Sequence, residues 1–147
     1  MTSSLLSHQT AITVTNNLAE LERVGDAIEE FGQRNGLPAK AVFEVKLAVD
    51  EVVTNVISYG YADGGDHQIA VRLSVDAGEI AIEVEDDGRP FNPLAVAPAD
   101  VDQPVEDRQI GGLGIHLVRK LMDGLDYRRE GNKNLLVMRK SAEPPQS

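Results

Sequence analysis

A two-layer α/β sandwich, with helices on one face of a mixed, mainly antiparallel sheet, is the fold class this sequence predicts. Three observations predict it. Two stretches in the first sixty residues carry apolar residues at helical spacing. Two later stretches alternate apolar and polar residues and are joined by a short glycine-containing turn. After a long proline-punctuated gap come one more helix and two more strands. The order β-α-α-β-β-loop-α-β-β partly segregates strands from helices, as a layered α+β domain requires.

Each element has its own warrant. Residues 11–14 read as a short strand. A helix is expected over 17–33, with Leu18, Leu21, Val24, Ile28 and Phe31 on its apolar stripe. Gly36, Leu37 and Pro38 break it, and Pro38 suits the first turn of a second helix running to about residue 58. Val42, Val45, Val49, Val52 and Val56 form that helix's buried stripe. Strands follow over 69–75 and 80–86, joined through Asp76, Ala77 and Gly78, with the alternation of a sheet that has one wet face. From Arg89 to Ile110 the pattern is lost and Pro90, Pro93, Pro98 and Pro104 punctuate the chain. A loop of that length in a compact domain is a functional lid or a moving segment. A third helix is expected over 113–122, and two last strands near 125–129 and 135–139 flank Gly131 and Asn132. The domain is therefore assigned to residues 1–140. Residues 141–147, with Pro144 and Pro145, read as a flexible tail.

Composition excludes several function classes. At 147 residues the chain fits one domain, and 41% hydrophobic with 26% charged residues is a globular balance. Aromatics are 4% and Trp is absent, so the core must rest on Val, Ile, Leu and Ala. A net charge of −10 argues against nonspecific nucleic-acid binding, which needs Lys and Arg against phosphates. With no cysteine, disulfides, thiol catalysis and Cys-ligated zinc are excluded. No apolar run has the length of a membrane span, and a cytoplasmic protein is expected.

Three segments carry candidate chemistry. On the second helix, Glu51 and Asn55 lie about 40° apart on one flank beside the buried stripe, while Asp50 lies about 140° from Asn55 on the outer face. If one acid works with Asn55, it is Glu51; the same pair also serves as ordinary solvated helix residues. On the second strand of the hairpin, Asp86 shares parity with Ile80, Ile82 and Val84 and points to the buried face, with Asp87 opposite. A buried carboxylate needs a partner. Asp86 either reads a ligand or caps a turn through Gly88, whose missing side chain permits close backbone approach. Gly111, Gly112 and Gly114 open the third helix. There they either expose backbone N–H groups to a phosphate or form a hinge. No Lys-Ser/Thr follows, so this is not a Walker loop.

Taken together, the segments resemble one superfamily, that of gyrase, heat-shock ATPases, histidine kinases and mismatch-repair ATPases, with its Bergerat-type ATP-binding fold. Residues 51–55 resemble its N box, Asp86-Asp87-Gly88-Arg89-Pro90 its first glycine box and Gly112-Leu113-Gly114 its second, in that order and with a long lid between the last two. The stretches 47–61 and 111–123 are most similar to the anti-sigma-factor serine/threonine kinases of bacterial partner switching, and the resemblance covers residues 11–140. It implies that Asp86 accepts a hydrogen bond from the adenine amino group, Gly88 lets the base approach, Asn55 holds Mg2+, Gly112 and Gly114 cradle phosphates and Glu51 is the general base. Arg108 in the lid would add positive charge near the terminal phosphate. Arg23, on the outer face of the first helix, stands where those kinases have a partner-binding arginine. Three departures stand out: Pro90 replaces a common second glycine; no late Gly-Thr matches near Gly131-Asn132-Lys133, which implies a lost nucleotide contact; and the segment leading into Gly112 carries extra residues.

The resemblance implies an ATP-dependent serine/threonine kinase that phosphorylates a STAS-domain antagonist and switches between it and a sigma factor or other regulator, as a homodimer. The alternative is a nucleotide-gated anti-sigma module without significant catalysis. A sensor histidine kinase fragment is disfavoured because none of His8, His67 and His116 lies in a plausible acceptor helix.

Overall fold

The computed structural model describes residues 8–61, 65–90 and 112–142. The chain enters through β1 (Gln9–Thr15) and turns through a single 3-10 turn, Leu18–Glu20. It then runs through α1 (Leu21–Arg34) and α2 (Ala39–Tyr59), the hairpin β2 (Gln68–Asp76) and β3 (Glu79–Asp86), α3 (Gly112–Leu121), and the hairpin β4 (Gly124–Glu130) and β5 (Lys133–Ser141). The sheet order is β1-β2-β3-β5-β4.

Every pairing in this sheet is antiparallel, where the sequence left room for a mixed one. Connectivity gives the reason. The α1–α2 pair returns the chain so that β2 runs against β1, and the two hairpins are antiparallel by construction. The crossover through α3 places β4 one strand beyond β3, and β5 folds back between them, so two strands of like direction never touch.

The helices form where apolar spacing and end signals agree. Val24, Ile28 and Phe31 of α1 are buried, as the stripe predicts. Leu18 is not: it is 52% exposed. The Asn17 side chain accepts the Ala19 N–H at 2.9 Å and starts a 3-10 turn, whose tighter winding takes Leu18 off the α-helical stripe. At the other end Gly36, at φ 61°, takes the left-handed conformation that closes α1, with the Leu37 N–H on Gly32 O at 3.0 Å. Pro38 stands one residue before α2 as its N-cap, not within its first turn.

Strand parity builds the core. Ile69, Val71, Leu73, Ile80, Ile82, Val84 and Met138 face the helices with almost no exposure and meet Val45, Val49 and Val53 of α2 and Val118 of α3. The opposite face of β2 and β3 is wet, where Arg72 pairs with Glu83 and Glu85. The β2–β3 turn is a two-residue one, with Ala77 at φ 51° and Gly78 at φ 79°, the signs that a type I′ turn needs. Lys140 of β5 reaches the Leu121 carbonyl at the end of α3 at 2.9 Å and Glu44 of α2 at 2.8 Å, which locks α3 onto the α2 layer. The sheet runs past the boundary read from the sequence. Ser141 pairs with Glu79, and buried Ala142 donates its N–H to Gly78 O at 2.7 Å. The rest of the expected tail, 143–147, lies outside the described residues.

No helix among the described residues is long and apolar enough to cross a membrane.

Candidate functional site

The site grows from the last residue of β3. Period-2 alternation carries Ile80, Ile82 and Val84 into the core, and Asp86 follows them to 5% exposure. Its Oδ1 accepts the Gly88 N–H at 2.8 Å and Asn134 Nδ2 at 3.0 Å. The turn-capping role and the inward carboxylate are thus both realised, because the cap uses one oxygen of two. Burial pushes the Asp86 carboxyl above the ordinary carboxylate range. The hydrogen bonds from Asn134 and Gly88 oppose that rise, Asp87 adds to it and Arg129 offsets it.

Gly88 is a glycine for a steric reason. A Cβ there would lie 2.7 Å from Gly60 O and 2.9 Å from Asp86 Oδ1. Gly60 is the C-cap of α2, and its carbonyl also accepts the Arg89 N–H at 2.9 Å. The turn after β3 is therefore bonded to the end of the helix that carries Glu51 and Asn55. From that junction, Asn55 lies about 7.5 Å down the helix axis and Glu51 about 6 Å further, at 1.5 Å per residue. Adjoining the junction, the Tyr61 ring stacks on His67 with centroids 4.2 Å apart, and His67 Nδ1 lies 3.1 Å from Asp87 Oδ1.

The helix flank behaves as its spacing predicts. Asp50 is exposed, while Glu51 and Asn55 are half-buried. Asn55 Nδ2 is itself buried and has no hydrogen-bond partner among the described residues. An unsatisfied buried amide costs about 1–3 kcal/mol, a cost that a bound hydrogen-bond acceptor would remove. A carboxamide is a hard oxygen donor of the kind Mg2+ takes in ones and twos while phosphates and water supply the rest. Asn55 Oδ1 is the atom that would take Mg2+, while the unpaired Nδ2 can only donate and would suit a phosphate oxygen.

Gly112 opens α3 and Gly114 lies in its first turn, which puts both at the helix end that favours anions. Arg23 is on α1, 57% exposed, with its Nη1 2.9 Å from Glu20 Oε2. Glu20 also accepts from the Thr15 N–H and hydroxyl, and the Arg23 hydrogen bond leads in holding its carboxyl below the ordinary range. Arg108 and Gly111 lie outside the described residues.

Asn134 and Tyr127 were missed by sequence reasoning. Asn134 is buried on β5, directly opposite Asp86, and its Nδ2 also donates to Arg89 O at 2.9 Å. Tyr127 of β4 donates its hydroxyl to Asn134 Oδ1. Arg129 Nη1 reaches Gly88 O at 2.7 Å. A signal existed: Asn134 shares parity with buried Leu136 and Met138, the same argument that placed Asp86. The lost contact expected at Gly131–Lys133 is adjoined, one residue on, by this bonded amide.

Comparison with known proteins identifies the family. The family profile of the histidine kinase-like ATPase domain matches residues 14–140. The serine/threonine-protein kinase BtrW of Bordetella bronchiseptica is 27% identical over 143 residues, covering 97% of this chain and 96% of that protein. The anti-sigma F factor of Clostridium botulinum is 33% identical over 101 residues, covering 67% of this chain and 69% of that one. Among solved structures, the RsbU and RsbW domains of Rv1364c from Mycobacterium tuberculosis superpose with a TM-score of 0.68 at 16% identity. The match covers 93% of this chain and a third (33%) of that longer one. At that identity the likeness speaks for the fold.

Proposed function

We infer the function from one premise: the chain belongs to the histidine kinase-like ATPase domain family, in its branch of anti-sigma factor serine kinases. We propose that it binds ATP with Mg2+ and transfers the terminal phosphoryl group to a serine or threonine of a STAS-domain antagonist. In the same cycle it would release or capture a sigma factor or another regulator. The observation that carries this reading is the junction of β3 with α2. There a buried carboxylate, a glycine that admits no Cβ and an unpaired buried amide fall in line with an acid on one helix flank.

In this reading each residue has a task. Asp86 accepts the adenine amino group, and Gly88 keeps the wall flat beside it. Asn55 holds Mg2+, which when bound supplies charge neutralisation at the phosphates. Gly112 and Gly114 offer backbone N–H groups to those phosphates. Glu51 takes the proton of the acceptor hydroxyl as that oxygen bonds to the phosphorus and ADP leaves. Arg108 adds charge near the terminal phosphate. Arg23 contacts the partner, for which it must exchange its hold on Glu20. The protein works as a homodimer in the cytoplasm.

The test is transfer of labelled phosphate from ATP to a purified STAS-domain partner. Wild type should label it, and Glu51→Gln should lower the rate about 100-fold or more while ATP still binds. ATP-dependent partner capture that persists without labelling in either protein would replace this reading with the nucleotide-gated binding module.

A further inference from the structure

A carboxylate that reads a base must present a fixed oxygen. The contacts to Asp86 are lopsided: among the described residues both donors to it, Gly88 N–H and Asn134 Nδ2, fall on Oδ1. Asn134 is held in turn. Its Nδ2 faces three oxygens, Asp86 Oδ1 at 3.0 Å, Arg89 O at 2.9 Å and Gly88 O at 3.4 Å, and its Oδ1 takes the Tyr127 hydroxyl. Flipping the amide would set its oxygen against those three oxygens, none of which can donate to it. The hydrogen-bond network therefore fixes the orientation chemically. Strand register supplies the chain: Asp86 is opposite Asn134 across β3–β5, and Tyr127 is opposite Leu136 across β5–β4, one step along the same face.

We propose that Tyr127 and Asn134 are positioning residues for nucleobase selection. They saturate Oδ1 of Asp86 so that Oδ2 remains a fixed, ionised acceptor that takes a 6-amino purine and repels a 6-oxo purine. The inference rests on the reading of Asp86 as the adenine contact and adds what makes that contact selective. A carboxylate free to protonate would donate to a 6-oxo group and lose the distinction. Burial drives Asp86 toward protonation, as does Asp87, itself beside His67; the donors from Asn134 and Gly88 and the charge of Arg129 oppose it.

The experiment is a calorimetric titration of the full chain with Mg-ATP and with Mg-ITP, the inosine nucleotide, which differs at position 6. Wild type should prefer ATP by about 100-fold or more, the scale on which a site built around one hydrogen bond rejects its mismatch. Asn134→Leu should cut that preference at least tenfold, and more at pH 6 than at pH 8. Tyr127→Phe, which deletes a single oxygen and spares the fold, should cut it several-fold in the same direction. A role in structure alone weakens both nucleotides equally, so an unchanged ATP:ITP ratio in both variants overturns the inference while leaving the adenine contact standing. If Asn134→Leu does not fold, Tyr127→Phe decides alone. Wild type that binds neither nucleotide removes the adenine reading and this inference with it.

Discussion

The two ends of the candidate site are built on opposite terms. At the base end, the Asp86 carboxylate, the Gly88 turn, Asn134, Tyr127 and Arg129 bond to one another across three adjacent strands. At the end proposed to hold the metal and phosphates, Asn55 keeps a buried amide nitrogen with no partner among the described residues. The difference teaches how one domain divides its labour. The sheet fixes the Asp86 carboxyl in place, at the cost of burying it within a hydrogen-bonded network, as the proposed reading of a base would require. The helix holds an unsatisfied polar group that the proposed nucleotide would satisfy. Gly88→Ala and Asn55→Leu, one at each end, should therefore move stability in opposite directions while both weaken ATP binding.

The largest effect should follow Gly88→Ala. The added Cβ has nowhere to go between Gly60 O and Asp86 Oδ1. Overpacking of that kind costs about 1–3 kcal/mol, and it should also lower ATP affinity at least tenfold. Denaturant unfolding and calorimetry read the two effects. Asn55→Leu, near the native volume, should do the reverse to the fold. Removing the unpaired amide should raise stability by about 1 kcal/mol, a few degrees in Tm, while Mg-dependent ATP binding is lost. A drop in Tm for that variant would break the comparison, since it would mean the amide is satisfied.

A third test uses pH. Asp86 has a folded-state pKa raised by burial, so the folded protein binds its proton more tightly than the unfolded chain. Its contribution to stability is thus most favourable below the ordinary carboxylate value. It falls as pH rises from that value through the raised one, and it is flat above. Asp86→Asn should flatten that part of the stability profile of the ligand-free protein; an unaltered profile would show that the carboxyl is not perturbed. The smallest effect is a control far from both ends. Ala77, held at φ 51° in the β2–β3 turn, replaced by Asn should gain about 0.5–1 kcal/mol. ATP binding should not change, unlike the gain at Asn55.

Much of this was legible in the sequence because periodicity reports on faces. Alternation from Ile80 to Asp86 placed both the core and the buried carboxylate, and the 100° step separated Glu51 and Asn55 from Asp50. What periodicity cannot give is which strand lies beside which. Asn134 meets Asp86 only because β5 inserts between β3 and β4, a pairing across 48 residues of sequence. Parity alone marked Asn134 as inward-facing without naming its partner. Leu18 failed for a local reason: capping by Asn17 starts a 3-10 turn that a continuous helical count overlooks.

The central claim is that the β3–α2 junction is an adenine-nucleotide site read by Asp86. Titrating wild type and Asp86→Asn with Mg-ATP in a calorimeter tests it most directly. The account predicts saturable binding by wild type and an affinity about 100-fold lower in Asp86→Asn, whose fold stays intact. Equal affinity in the two proteins, or no heat from folded wild type, would contradict it.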